Sequence, residues 1–434
     1  MKSPAQVVIL FFVITIVIGT VLLSLPVCSI GKHSLIDNFF TITSATCVTG
    51  LNVVNISSYT RLGQLVILLC IQVGGLGYML FGSLLMIIFG RVSLGQESVL
   101  SESLNLTKLT KSSNLVKIIK QILVFTLVIE FIGAGILFLR FYSLSLLTLS
   151  ESIFFGMFHS ISAFCNAGFC LFPDSLEQFR GDVLVNVVIS GLIVVGGIGF
   201  IVGLDVIRSI RKKEEMLFHS RLVLMLSGCL IVIGMVLIFL LNRKEFSGLN
   251  LKEQLLTSWF QSVTPRTAGF NTFPINQLSG LSLLVITILM FIGGSPGSTG
   301  GGIKTITFFV VLYFSYLYCR GEKEFYIFKR RLREEVVIKS FVIFTVSIGF
   351  IILMSGFLKL SSNFGYKECL FETVSAFSTV GLSLGITPNL DNLSKILLII
   401  TMFLGRVGSL TLLTALLLKE PKEIKYLVEN VSVG

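Results

Sequence analysis

A chain of 434 residues in which 53% are hydrophobic and only 13% charged, with a mean hydropathy of +0.92, lies far from the soluble average, where about a quarter of residues carry charge. That composition excludes an ordinary soluble domain and places the chain in a bilayer. The net charge of +11 would point to nucleic acid in a soluble protein, but here it is read as orientation across a membrane, and no nucleic acid partner is expected.

Taken in order, the apolar runs 7–26, 64–89, 115–139, 183–207, 221–241, 336–358 and 394–418 each reach the roughly 20 residues that a bilayer core demands. An eighth, 281–319, is long enough but is interrupted by a run dominated by glycine. Four shorter apolar runs, 34–46, 151–164, 253–264 and 368–377, suit re-entrant helices rather than spans. The acidic residues Asp37, Glu151, Glu253 and Glu368 near their starts are expected to stabilise helix N-termini. The first span is too long to be the apolar core of a signal peptide.

Basic residues test this layout. Twenty-one Lys and Arg fall in the N-terminus, in 90–121, 208–221 and 320–339, and in the tail after 418, whereas ten fall on the opposite side, which carries all four short runs. The positive-inside rule therefore predicts a multi-pass protein of the plasma (inner) membrane with both termini cytoplasmic and the short runs entering from outside. Arg266, Lys304 and Arg406 fall at membrane depth and need separate explanations. Eight cysteines show no CxxC pair, and His33, His159 and His219 share no spacing, so no metal or disulfide framework is expected.

Each short run leads into a small-polar stretch that ends in glycine and then a large apolar residue. The four are Cys47-Val48-Thr49-Gly50, Cys165-Asn166-Ala167-Gly168, Arg266-Thr267-Ala268-Gly269 and Ser378-Thr379-Val380-Gly381. Ten residues before each glycine stands an aromatic, Phe40, Phe158, Trp259 or Phe371, and the following span carries a glycine pair at 74–75, 196–197 and 293–294, with Gly405-Arg406 in the fourth copy. Matched spacing of this kind marks an internal repeat. The units are expected at 1–110, 111–215, 216–333 and 334–420, followed by a cytoplasmic tail, 421–434.

Non-helical backbone in lipid is tolerated only where protein or water surrounds it, so four such loops entering from one side are expected to meet on an axis and line a pore. Glycine permits the positive-φ backbone that turns carbonyls inward, and the short helices aim their partially negative ends at the centre. None of the loops carries a carboxylate, which suits a monovalent cation held by dipoles. The fold class expected is thus all-α, with eight spans and four re-entrant pore helices around a pseudo-four-fold pore.

Those four filter loops, the glycine-rich break in the third unit and the lone Arg in the last span resemble the Trk/Ktr/HKT superfamily of potassium transporters, over essentially the whole chain. Eight spans without an extra N-terminal pair are most similar to the Ktr branch. The resemblance implies K+ uptake through a pore in each subunit, assembly as a homodimer, and regulation by a cytoplasmic RCK-type nucleotide-binding ring. It implies no cofactor in this chain, K+ as substrate ion with Na+ possible, and, through Gly50, K+ permeation. The Pro265-Arg266 pair departs from the pattern of the second and fourth loops.

The stretch Gly293, Gly294, Ser295, Gly297, Ser298, Thr299, Gly300, Gly301 and Gly302, leading to Lys304, cannot hold a stable helix and reads as a gate below the filter. A phosphate-binding loop needs glycine immediately before its lysine; Ile303 intervenes and no strand precedes, so an enzyme using 293–305 is disfavoured. A stand-alone cation channel remains the other alternative. Arg406 stands where other units keep glycine, and a charge there costs a few kcal/mol, so it is expected to face the pore beneath the filter. Lys304 is expected to tether the gate to a carbonyl or carboxylate.

Overall fold

The computed structural model describes residues 4–77, 112–322, 325–328 and 330–408. One order of elements recurs four times: a long helix, a short helix, a loop, and a second helix that returns against the first. The first set is α1 (Pro4–Leu23), α2 (Leu35–Thr46) and α3 (Arg61–Leu76). The second is α4 (Ser112–Ser143), α5 (Leu149–Phe164), α6 (Val183–Ile198) and α7 (Phe200–Lys212). Then come α8 (Phe218–Leu241), α9 (Leu251–Val263), α10 (Gly280–Phe291) and α11 (Thr305–Cys319), and finally α12 (Glu334–Ser361), α13 (Tyr366–Phe377) and α14 (Asn392–Val407). Among the described residues the only strands form a two-residue hairpin, Tyr326–Ile327 with Arg330–Arg331.

Among the described residues four helices, α1, α4, α8 and α12, are long and apolar enough to cross a membrane. Their outward faces carry apolar side chains such as Phe131, 82% exposed, and Leu360, 84% exposed, as a lipid-facing surface requires. The chain is an all-helical membrane protein with several apolar spans and one broken one. The expected span 183–207 is bent: α6 and α7 meet at 102°. Gly199 makes the bend, at φ 98°, and a side chain there would press on the carbonyls of Pro296 and Gly297. The run 281–319 divides into α10 and α11 as its glycines require. Helices α3 and α14 stop at Leu76 and Val407, where Gly77 and Gly408 turn to positive φ; the remainder of the expected spans 64–89 and 394–418 lies outside the described residues, as do the segments 90–111 and 409–434.

The short helices start on capping boxes: Ser34 with Asp37, Thr148 with Glu151, and Asn250 with Glu253. Helix α13 begins at Gly365 without a side-chain cap, with Glu368 in its first turn. Their aromatics Phe40, Phe158 and Phe371 are buried, while Trp259 reaches sideways to donate to Ser190 Oγ of α6 at 3.0 Å. Lys395 at the start of α14 pairs with Asp37 of α2 at 2.8 Å, joining the last set of helices to the first.

The paired glycines have a packing reason. A Cβ at Gly74, Gly196 or Gly405 would collide with the carbonyl of Thr46, Phe164 or Phe377, four residues before the loop glycine in each case. The returning helix therefore lies directly against the end of the short one, and only glycine admits that approach.

Candidate functional site

The four loops share one backbone conformation. Gly50, Gly168, Gly269 and Gly381 have φ of 95°, 69°, 79° and 90°, and two residues earlier Val48, Asn166, Thr267 and Thr379 also take positive φ, at 57°, 59°, 74° and 51°. In an extended chain successive carbonyls alternate sides. A left-handed residue between them reverses a peptide plane, so that several carbonyls face one way. Such conformations are uncommon for β-branched residues such as Val48, Thr267 and Thr379, and their fourfold recurrence marks a constrained site.

The glycines also touch one another in a ring. A Cβ on Gly50 would lie 2.6 Å from the Ala167 carbonyl oxygen, and one on Gly168 2.8 Å from that of Ala268. One on Gly269 would run into the Val380 carbonyl, and one on Gly381 into the Thr49 carbonyl. The order 50, 168, 269, 381 thus closes on itself. Hydroxyls pin each loop from behind: Ser44 and Ser375 accept from the N–H of Gly50 and Gly381 at 3.0 and 3.1 Å, and Ser162 donates to Phe169 O at 2.8 Å. In the third loop Val263 occupies the serine position, and Thr264 donates to Phe270 O instead. One side of the ring opens into a cavity of about 600 Å³, whose lining includes all four glycines and Asn52, Asn271 and Ser383.

Directly against the other side lies 293–302. Side chains at Gly300, Gly301 and Gly302 would strike Thr267, Thr379 and Ser378 respectively, and Gly301 N donates to Thr379 Oγ1 at 2.9 Å. Thr299 Oγ1 reaches Phe164 O at 3.5 Å. The segment also docks in the bend of the second unit, where Ser295 N donates to Gly197 O at 2.9 Å and Phe200 N to Gly297 O at 3.1 Å.

A family model described as "TrkH: Cation transport protein" matches residues 1–426. The chain belongs to the TrkH cation transport family. It is a multi-pass membrane protein of a transport family and not an enzyme. It is 39% identical to the Ktr system potassium uptake protein B of Bacillus subtilis, over 100% of this chain and 97% of that one. It is 36% identical to the potassium/sodium uptake protein NtpJ of Enterococcus hirae, over 100% of this chain and 97% of the relative. The fold resembles the crystal structure of the potassium transporter TrkH from Vibrio parahaemolyticus, with a TM-score of 0.75 at 19% identity, covering 96% of this chain and 86% of that one.

Within this TrkH-family chain, the ring and the glycine segment gather nearly every residue singled out in the sequence. Lys304 folds back to donate from Nζ to Gly300 O at 2.7 Å, tying the segment to itself. Arg406 donates to the carbonyls of Thr299 and Gly74, bridging the segment to the end of α3. Arg266 is the exception. Its side chain points away from the ring and is buried against α8, where Nη2 donates to Ser227 Oγ at 2.9 Å and Nη1 to Ser227 O at 3.2 Å. The Asn166 amide and Thr267 hydroxyl meet at 3.0 Å, linking the second and third loops.

Sequence reasoning missed the hydroxyl pins, the bend at Gly199, the buried carboxylate of Glu372 and the place of Glu130, which it offers only as an acidic residue in a span near Arg406. Glu130 of α4 accepts from Gln72 Nε2 at 3.1 Å behind the second loop. Glu372 of α13 lies beside the fourth. Both sit in apolar helices, and the signal that could have found them is their cost there, since a buried carboxylate needs dedicated donors.

Proposed function

We propose that the protein takes up K+ across the plasma (inner) membrane, along its electrochemical gradient, through the ring of loop carbonyls. The closed ring of four positive-φ glycines is the observation that carries this reading, because a dehydrated monovalent cation exchanges its water shell for backbone oxygens arranged in such rings. The names of the Ktr and TrkH relatives support K+ as the ion, and the Enterococcus hirae name keeps Na+ as a second candidate. In this reading Cys47 to Gly50, Cys165 to Gly168, Arg266 to Gly269 and Ser378 to Gly381 form the filter through their backbone, the Arg266 side chain serving only to anchor its loop.

The segment from Gly293 to Gly302 is the gate, since it occludes the ring from the side opposite the cavity. Arg406 latches it shut by holding the Thr299 carbonyl against α3, and Lys304 stiffens its far end. Both termini are cytoplasmic and the cavity is extracellular, as the distribution of Lys and Arg requires. Eight crossings in four units, 1–110, 111–215, 216–333 and 334–420, then place four pore helices around the axis, with 421–434 in the cytoplasm. The subunit acts as a homodimer with an RCK-type nucleotide-binding ring on its cytoplasmic face, in keeping with membership of a Ktr system.

Flux of K+, Rb+ and Na+ into liposomes bearing the chain tests the reading, with Gly50→Ser measured beside it. A preference for K+ and Rb+ over Na+ is expected, and the serine Cβ, crowding Ala167 O at positive φ, is expected to erode it. Equal flux of all three ions, or unaltered selectivity in the variant, would sink the assignment.

A further inference from the structure

The four short helices differ at one buried position. Nine residues before the ring glycines stand Thr41, His159, Phe260 and Glu372. In the second loop His159 Nε2 accepts from Leu171 N at 3.3 Å while its Nδ1 donates to Phe155 O at 2.7 Å. In the fourth, Glu372 Oε1 accepts from Leu384 N at 3.2 Å. Leu171 and Leu384 each follow their ring glycine by three residues, and the order of the ring sets these two loops on opposite walls.

The fourth wall is held more elaborately. Ser383 Oγ donates to Glu372 Oε1 at 2.5 Å and Thr387 Oγ1 to Oε2 at 3.0 Å, so both carboxylate oxygens are engaged by the segment leaving the ring. Ser383 in turn accepts from Gly385 N at 2.8 Å. Glu372 is fully buried, whereas Ser383, Leu384 and Thr387 line the cavity, so the carboxylate stands behind the cavity wall. Desolvating a carboxylate is expensive, and the third helix fills the same place with Phe260. Packing alone therefore does not account for an acid there.

Geometry does. The Gly381 N–H is fixed by Ser375 Oγ, and two residues later Ser383 is fixed by Glu372. The Gly381 carbonyl lies between these two clamps, and the Val380 carbonyl belongs to the peptide that the first clamp holds. A ring of oxygens distinguishes ions by where its dipoles sit and how stiffly they are held, and a wall freed at one end can contract around a smaller cation. We propose that Glu372 is a positioning residue of the fourth wall: by holding the exit Ser383–Thr387 it fixes the Val380 and Gly381 carbonyls and sets discrimination between K+ and Na+. The inference rests on the potassium reading above and adds the residue that tunes it.

Two measurements on the purified full chain separate the two ideas: thermal stabilisation by K+ against Na+, and flux in liposomes. If the native chain shows neither K+ stabilisation nor K+ flux, the potassium reading fails. Given a K+-preferring native chain, Glu372→Ala is expected to lower the K+ to Na+ preference roughly tenfold, with half-saturation for K+ moving more than maximal rate. Glu372→Gln keeps the shape and an acceptor oxygen for Leu384 and is expected to stay within about twofold of native. Native preference in Glu372→Ala overturns the proposal, as does a loss in Glu372→Gln as large as in the alanine variant. Should Glu372→Ala not fold, the pair Ser383→Ala and Thr387→Val removes the donors from the loop side, and an unchanged preference there is equally fatal.

Discussion

Two glycine-bearing regions lie back to back in this molecule, and they differ in how completely they are packed. In the ring, each glycine is required by its neighbour: a Cβ would meet a carbonyl of the adjacent loop, and hydroxyls pin the backbone from behind. In 293–302 the glycines at 300, 301 and 302 are packed as tightly, against Thr267, Thr379 and Ser378, but Gly297 at φ 72° has open space where a Cβ would stand. Packing on every side fixes the size of the ring, while the segment is packed at its 300–302 end and open at the Gly297 turn. In the proposed reading, selection and occlusion then reside a few ångströms apart.

The contrast breaks most readily at the ring. Gly381→Ala puts a methyl onto the Thr49 carbonyl at φ 90°, and is expected to reduce K+ flux at least about a hundredfold, as strain of roughly 3 kcal/mol implies. Gly297→Ala carries only the backbone strain, about 1 kcal/mol, and should leave flux within a few-fold. Equal losses at both positions would show that the two regions are one rigid body.

Arg406→Ala sharpens the same comparison. Removing the guanidinium frees the Thr299 carbonyl from α3, and K+ flux through the otherwise unregulated chain is expected to rise about tenfold with K+ to Na+ preference retained. Lost preference without increased flux would assign Arg406 to the ring instead of the segment.

The smallest effect belongs to the pair that joins the last unit to the first. Burial would raise the Asp37 carboxyl, but hydrogen bonds from Lys395 and Ser34 outweigh it and hold the group below its ordinary value. A depressed carboxyl contributes stability that is present above its unfolded pKa and lost as pH falls through the folded one. Lys395→Ala is therefore expected to cost about 1 kcal/mol at neutral pH, with the difference from native vanishing in acid; thermal melts across pH check it. A difference independent of pH would show that the side-chain packing, and not the charge, joins these units.

Much of this was legible in the sequence because lipid makes it so. A span needs some twenty apolar residues, and a glycine in such a run is conspicuous, so the four loops, the interruption at 293–302 and Arg406 stood out against their surroundings. Gly199 is visible as a glycine of the repeat, but its bend is not, because the cause of the turn, the Pro296–Gly297 backbone, lies in another unit. The repeat places Arg266 with the ring, and only α8 reveals where its side chain goes. Glu372 does not stand out, because its partners follow it by eleven to fifteen residues, across a loop whose course no periodicity discloses.

The cavity beside the ring carries a last consequence. Its volume of about 600 Å³ accommodates on the order of 20 water molecules. An arriving ion can keep its hydration shell until the glycines, so that the toll of shedding water falls at a single threshold. One ion resident in such a volume corresponds to a momentary local concentration of roughly 3 M, and the medium sets how often that occupancy recurs.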